Sequence, residues 1–135
     1  MTVEQTRALV EPYLRSHDAN LLAPDVVFTD LSSGQRYEGR EAVGGMLHYI
    51  YHVAFDAHPE GLVVVVGEGR AFAEATFVGR HTGPFAGFAP TGRHVRVPMC
   101  VSYDVGPEGI TAGRVYMLAS VMMEQLGATV AEAAG

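Results

Sequence analysis

The sequence predicts an α+β domain, with amino-terminal helices packed on one face of a curved antiparallel sheet. Three observations carry that expectation. Apolar residues recur at helical spacing up to about Phe55. Long β-rich stretches separated by glycine-bearing turns follow Pro59. The chain has 135 residues, 48% of them hydrophobic and 18% charged, which fits one domain with a real core. Helices first and hairpin-linked strands afterwards segregate into two layers. A strongly curved sheet would then wrap a pocket between itself and the helices.

Thr2 and Gln5 have the spacing of a capping box and open the first helix. Leu9, Val10, Tyr13 and Leu14 form its apolar stripe, and Pro12 is expected to kink or break it. A short second helix is expected over about 17–23, with Pro24 after it and a strand over 26–31. Ser32, Ser33 and Gly34 make a turn, and 35–38 are extended. Gly39 leads into a helix through about 55, on which Val43, Leu47, Ile50 and Ala54 share a face. Gly44 and Gly45 weaken that helix by about 1 kcal/mol each relative to alanine. Strands are expected over 62–66, 71–81, 94–105 and 110–121.

Composition narrows the chemistry. One cysteine, Cys100, excludes an internal disulfide framework and a multi-thiolate zinc site. All nine basic residues are arginine, so Schiff-base chemistry and a P-loop lysine are excluded. The net charge of −6 argues against nucleic acid and anionic membranes as partners. No stretch is long and apolar enough for a membrane span, and no basic segment precedes an apolar run at the start. A cytoplasmic protein is expected.

Three strings are recognisable: AFDAHPE (54–60), GRHTGPFAGFAPTGRHVRVP (79–98) and RVYMLASVMMEQLG (114–127). With APDVVFTD (23–30) and REAVGGML (40–47), they make most of the chain resemble the SnoaL-like polyketide cyclases. These belong to the nuclear-transport-factor-2-like superfamily, with ketosteroid isomerase and limonene epoxide hydrolase. The resemblance implies one cone-shaped α+β domain over 1–135, an apolar pocket, a homodimer or larger homo-oligomer, and no cofactor. It also exposes departures. The family's acid/base aspartate falls at Leu118, and an acidic residue and a histidine before the motif's arginine become Ala112 and Gly113. The position of ketosteroid isomerase's protonated aspartate becomes Val101.

Asp30 matches the general base of ketosteroid isomerase, and strand alternation puts Phe28 on its face. It is either a proton shuttle or the cap of the Ser32–Gly34 turn. Tyr13 lies near that enzyme's oxyanion tyrosine, or is a core tyrosine with its hydroxyl at the rim. Arg114, Tyr116 and Leu118 should share a face. If that face is the pocket, Tyr116 could bond a substrate carbonyl, and Arg114 a substrate acid or a neighbouring acidic side chain. His81 could carry protons in place of the missing aspartate, or order the following loop. His48 and His52, four apart on a helix, suit a pocket wall or a solvated face better than a metal site. Met99, Val101 and Tyr103 share a strand face and could line the cavity, whereas Met122 and Met123 suit core or interface.

The expected function is a polyketide-type cyclase of secondary metabolism acting on an apolar oxygenated substrate. Pocket templating would do most of the work, with Asp30 assisting proton transfer. The alternatives are a non-catalytic carrier of an apolar metabolite, and an isomerase, dehydratase or epoxide-opening cyclase on the same fold.

Overall fold

A computed structural model describes residues 1–127. The Thr2 hydroxyl accepts from the Gln5 N–H at 3.1 Å, and the Thr2 N–H donates to the Gln5 side chain at 2.9 Å. This capping box starts α1 (Val3–Ser16). The helix runs through Pro12 without the expected break. Pro12 removes one backbone hydrogen bond, but tertiary contacts hold the helix in place. Val10 and Tyr13 are buried, and the Thr6 hydroxyl accepts from the Gly69 N–H at 2.9 Å.

The helix expected over 17–23 is only a 3-10 turn, Ala19–Leu21, started by the Asp18 carboxylate accepting from the Asn20 N–H at 2.9 Å. β1 (Leu22–Asp30) takes over at once and pairs with β2 (Arg36–Glu38). Arg40, the first residue of α2 (Arg40–His48), donates twice to the Leu22 carbonyl, at 3.1 and 2.7 Å. The long helix expected to reach Phe55 instead passes into a π turn, Tyr49–Val53, in which the Ala54 N–H bonds the Tyr49 carbonyl at 2.7 Å.

Four strands then meander: β3 (Phe55–Val66), β4 (Arg70–His81), β5 (His94–Gly106) and β6 (Gly109–Met117). β3 absorbs Pro59 because it is an edge strand, and it absorbs Gly61 (φ 66°) at a bulge between Glu60 and Val63. The strand order is β2-β1-β6-β5-β4-β3. β1 joins β6 in parallel, so the sheet is mixed where a wholly antiparallel one was expected.

β6 stops at Met117, and α3 (Ala119–Gln125) follows where strand was expected to continue. Pairing between β5 and β6 reaches only Met99 with Met117, so Arg96 of β5 lacks β6 as a neighbour. The Gln125 amide takes over there. Its oxygen accepts from the Arg96 N–H at 2.6 Å, and its NH₂ donates to the Arg96 carbonyl at 2.8 Å.

Pairing across the sheet sets which side chains face the helices. One rung runs Phe28–Gly113–Tyr103–Ala71, and the next runs Asp30–Val115–Val101–Ala73. A third runs Met117–Met99–Ala75. Two buried clusters flank these rungs. One gathers Val10, Leu22, Val26, Val43 and Ile110, and the other gathers Phe55, Phe77, Val95, Val97 and Met122. On the opposite, convex face, Val63, Val65, Phe72 and Tyr116 are exposed. Arg114 lies on that face too. Its guanidinium forks onto Asp104 at 2.8 and 3.2 Å and donates to the Ser102 hydroxyl at 2.8 Å.

Two measurements test this account. A Cβ on Gly113 would lie 2.6–2.7 Å from the Phe28 ring. Gly113→Ala is therefore expected to cost about 1–3 kcal/mol in urea denaturation, with part of the loss recovered in the Gly113→Ala/Phe28→Leu double variant. The Arg114 hydrogen bond, and then its charge, hold the Asp104 carboxyl below its ordinary 3.8. The stabilisation from that pair is present above 3.8 and is lost as pH falls through the lower folded value. The urea midpoints of wild type and Asp104→Asn should differ at neutral pH and converge below that range.

Candidate active site

Between the two clusters lies a cavity of about 1030 Å³. It exists because the concave side of the sheet carries small residues where the helices do not reach down. Ala73 and Ala75 of β4 sit beside Val101 and Met99 of β5. The roof comes from the end of α1 (Tyr13, Leu14, His17) and from Met46, Leu47, Tyr49, Ile50 and Tyr51. Phe85, Ala86 and Phe88 of the 82–92 loop close one side, and α3 adds Met122 and Met123. Asp30, Ser32, Ser33 and Tyr37 form the rim.

The polar groups in this apolar setting are few. Tyr13, Tyr51 and Tyr103 are 1%, 8% and 4% exposed, so their phenol groups are almost wholly out of bulk water. Their rings touch in sequence: Tyr13 lies 5.8 Å from Tyr103, and His17 lies 5.5 Å from Tyr13 and 4.9 Å from Tyr51. Among the described residues no side chain or carbonyl bonds these three hydroxyls, and none of them is sealed from the cavity. Burial pushes the Tyr51 phenol up to about 12. Burial, and then neighbouring phenols, push Tyr13 and Tyr103 up as well. All three are therefore protonated donors near neutrality. Burial, and then the charge of His52, hold His17 below its ordinary 6.5.

Asp30 stands on the rung of Val115 at the rim. Its Oδ1 accepts from the Ser32 N–H at 3.0 Å and the Ser32 hydroxyl at 2.7 Å, and its Oδ2 accepts from the Ser33 hydroxyl at 3.1 Å. It is thus a turn cap whose carboxylate borders the cavity, with an acceptor position to spare.

Tyr13, Phe28, Met99, Val101 and Tyr103 lie on the cavity wall with Asp30. The remaining expected site residues lie elsewhere. Arg114 and Tyr116 share a face as alternation requires, but it is the convex one, because pairing of Val115 with Val101 turns the odd-numbered residues of β6 inward. Leu118 precedes α3 and is 52% exposed. His48 and His52 stack at 5.5 Å on an exposed surface beyond the wall. His81 is wholly buried against Phe55, with ring centroids 5.2 Å apart. The Thr91 N–H donates to its Nδ1 at 3.1 Å, so the neutral ring carries its proton on Nε2, which has no partner among the described residues. That arrangement fastens the end of the 82–92 loop.

Sequence reasoning missed His17, Tyr51 and the loop phenylalanines. His17 follows Tyr13 by four residues and so continues its helical face, a signal that was available. The position of Tyr51 depends on the π turn, which periodicity does not reveal.

The fold has many relatives among solved structures. A protein assigned as a polyketide cyclase from Xanthomonas campestris pv. campestris superposes with a TM-score of 0.81 at 22% identity, covering 92% of this chain and 98% of that one. A phenazine biosynthesis-related protein from Pseudomonas aeruginosa gives 0.80 at 13% identity, covering 95% and 88%. A Catenulispora acidiphila protein with a ketosteroid isomerase-like fold gives 0.68 at 22%, covering 94% and 93%. At such identities these likenesses establish the fold. No curated protein matches the chain in sequence. The model of one family, SnoaL-like polyketide cyclase, matches residues 14–126, most of the described fold and every cavity-lining residue except Tyr13, and the chain belongs to that family.

Proposed function

We propose that this protein is a cofactor-independent cyclase of secondary metabolism that closes a ring in an apolar, oxygenated, polyketide-type substrate. The observation that carries this reading is the set of three buried phenol donors facing a cavity of about 1030 Å³ whose walls are otherwise mostly apolar. Carbonyl oxygens of a folded chain would satisfy those donors, while the alanine, valine and methionine floor accepts its hydrocarbon. Holding two reacting carbons at near-attack distance removes several kcal/mol of entropic barrier. Phenol donors aimed at a developing enolate or alkoxide oxygen add electrostatic stabilisation. Asp30, at the rim with an acceptor position left, assists proton transfer toward solvent.

A second reading, a carrier of an apolar metabolite, is favoured by one observation: the Asp30 carboxylate is already engaged by Ser32 and Ser33. Turnover separates the two readings. Under the cyclase reading, apolar β-polyketo esters are converted by wild type into cyclised isomers or dehydrated products, as read by mass spectrometry and NMR. Under the carrier reading they are bound and returned unchanged. Tyr13→Phe, Tyr51→Phe and Tyr103→Phe should each weaken binding by about 0.5–1.5 kcal/mol, roughly two- to tenfold, in calorimetric titrations. Asp30→Asn should lower turnover about tenfold or more with affinity little changed. Unchanged turnover would remove Asp30 from the mechanism and leave templating.

A further inference from the structure

His17 ends α1 in the left-handed conformation, at φ 51° and ψ 33°, with its N–H on the Tyr13 carbonyl at 2.6 Å. Helices ordinarily place glycine or asparagine at such a position. Histidine is among the few other residues that enter this region readily. The imidazole lies on the cavity wall. The ring packs 4.9 Å from Tyr51 at 38° and 5.5 Å from Tyr13, and neither nitrogen has a hydrogen-bond partner among the described residues. The titratable groups around it are Tyr13 from α1, Tyr51 and His52 from the π turn, and Tyr103 behind Tyr13 from β5. The neighbouring Asp18 carboxylate is turned to the Asn20 N–H.

We propose that His17 is the general base of the cavity, acting on ketones that carry an acidic C–H beside the carbonyl. The proposal rests on the reading of the cavity as the seat of ring closure and names the group that starts it. A lone pair on the imidazole takes the α-proton, and the C–H electrons form the C=C bond of an enolate. The carbonyl electron pair moves to oxygen, where a phenol hydroxyl of the tyrosine cluster donates to it. The enolate carbon then bonds to a second carbonyl carbon of the same chain, whose π pair becomes an alkoxide. That alkoxide recovers the proton from the imidazolium. Nothing is oxidised or reduced, and His17 returns to its neutral form. Burial, together with the charge of His52, keeps the ring neutral at physiological pH, so the base is ready before substrate arrives.

The test uses 2-tetralone, an apolar bicyclic ketone, in D₂O. Exchange of its α-protons is followed by NMR, and binding is followed by ligand shift changes. Wild type should accelerate exchange, with a rate that falls as pH drops through a midpoint below 6.5. His52→Gln should raise that midpoint. His17→Asn and His17→Gly both suit the left-handed backbone, so they keep the fold. They should bind the ketone, lose about a hundredfold or more in exchange rate, and lose the pH inflection. Free imidazole should restore part of the His17→Gly rate, which a merely structural role would not allow. Exchange retained in either variant, or an inflection that survives, overturns the assignment. Wild type that binds 2-tetralone without exchanging it also overturns the assignment but spares the cavity reading. Wild type that does not bind it counts against the cavity reading and the base together.

Discussion

The parallel seam between β1 and β6 is the constraint on which the rest depends. It closes only because β6 carries no side chain at two places. A Cβ on Gly109 would lie 2.6 Å from the Leu21 carbonyl, and Gly109 itself sits at φ 124°. Gly113 leaves room for the Phe28 ring. With β1 lying flush, Phe28 reaches Tyr103 across the rung, at 6.2 Å between ring centroids. Asp30 falls in line with Val115 and Val101 at the rim. The Arg40 guanidinium then draws α2 onto the start of β1, and the roof of the cavity follows from that anchor.

The hollow itself follows from a mismatch of side-chain size. Alanines alternate along the concave side of β4, whereas tyrosines descend from the α1 and π-turn side. The tyrosine hydroxyls open onto that space without a partner among the described residues. Three such donors on one chamber suit the recognition of oxygen atoms in a ligand. Asp30 and His17 differ in the same sense. The carboxylate spends most of its acceptors on its own turn, while among the described residues the imidazole spends neither nitrogen.

Much of the architecture could be read from residue order. The Thr2–Gln5 box, the alternation along β4 and β5, and the shared face of Met99, Val101 and Tyr103 are local rules acting locally. What escaped depended on tertiary context. Pro59 and Gly61 read as strand breakers until an edge position and a bulge accommodate them. The run from Val121 to Met123 is apolar enough for strand or helix, and only the burial of Met122 with Leu126 resolves it. Arg114, Tyr116 and Leu118 were grouped by period alone, and period cannot say which side of a sheet is concave. That choice was made by long-range pairing with β5. The role of His17 rests also on packing against Tyr51, more than thirty residues away.

The 82–92 loop has a further consequence. Both of its roots are fastened. Thr82 and Gly83 donate to the Ala54 carbonyl at 2.9 and 3.0 Å, and Thr91 holds His81. The Tyr49 hydroxyl also donates to the Pro84 carbonyl. Between these ties, Phe85 and Phe88 pair around a two-residue tip, Ala86 and Gly87, at φ 50° and 84°. The tip bears on the cavity but on little of the scaffold. Insertions, deletions and exchanges there can reshape the chamber while the sheet stays as it is. Over evolutionary time this hairpin is where descendants of the chain could acquire new molecular tastes without relearning how to fold.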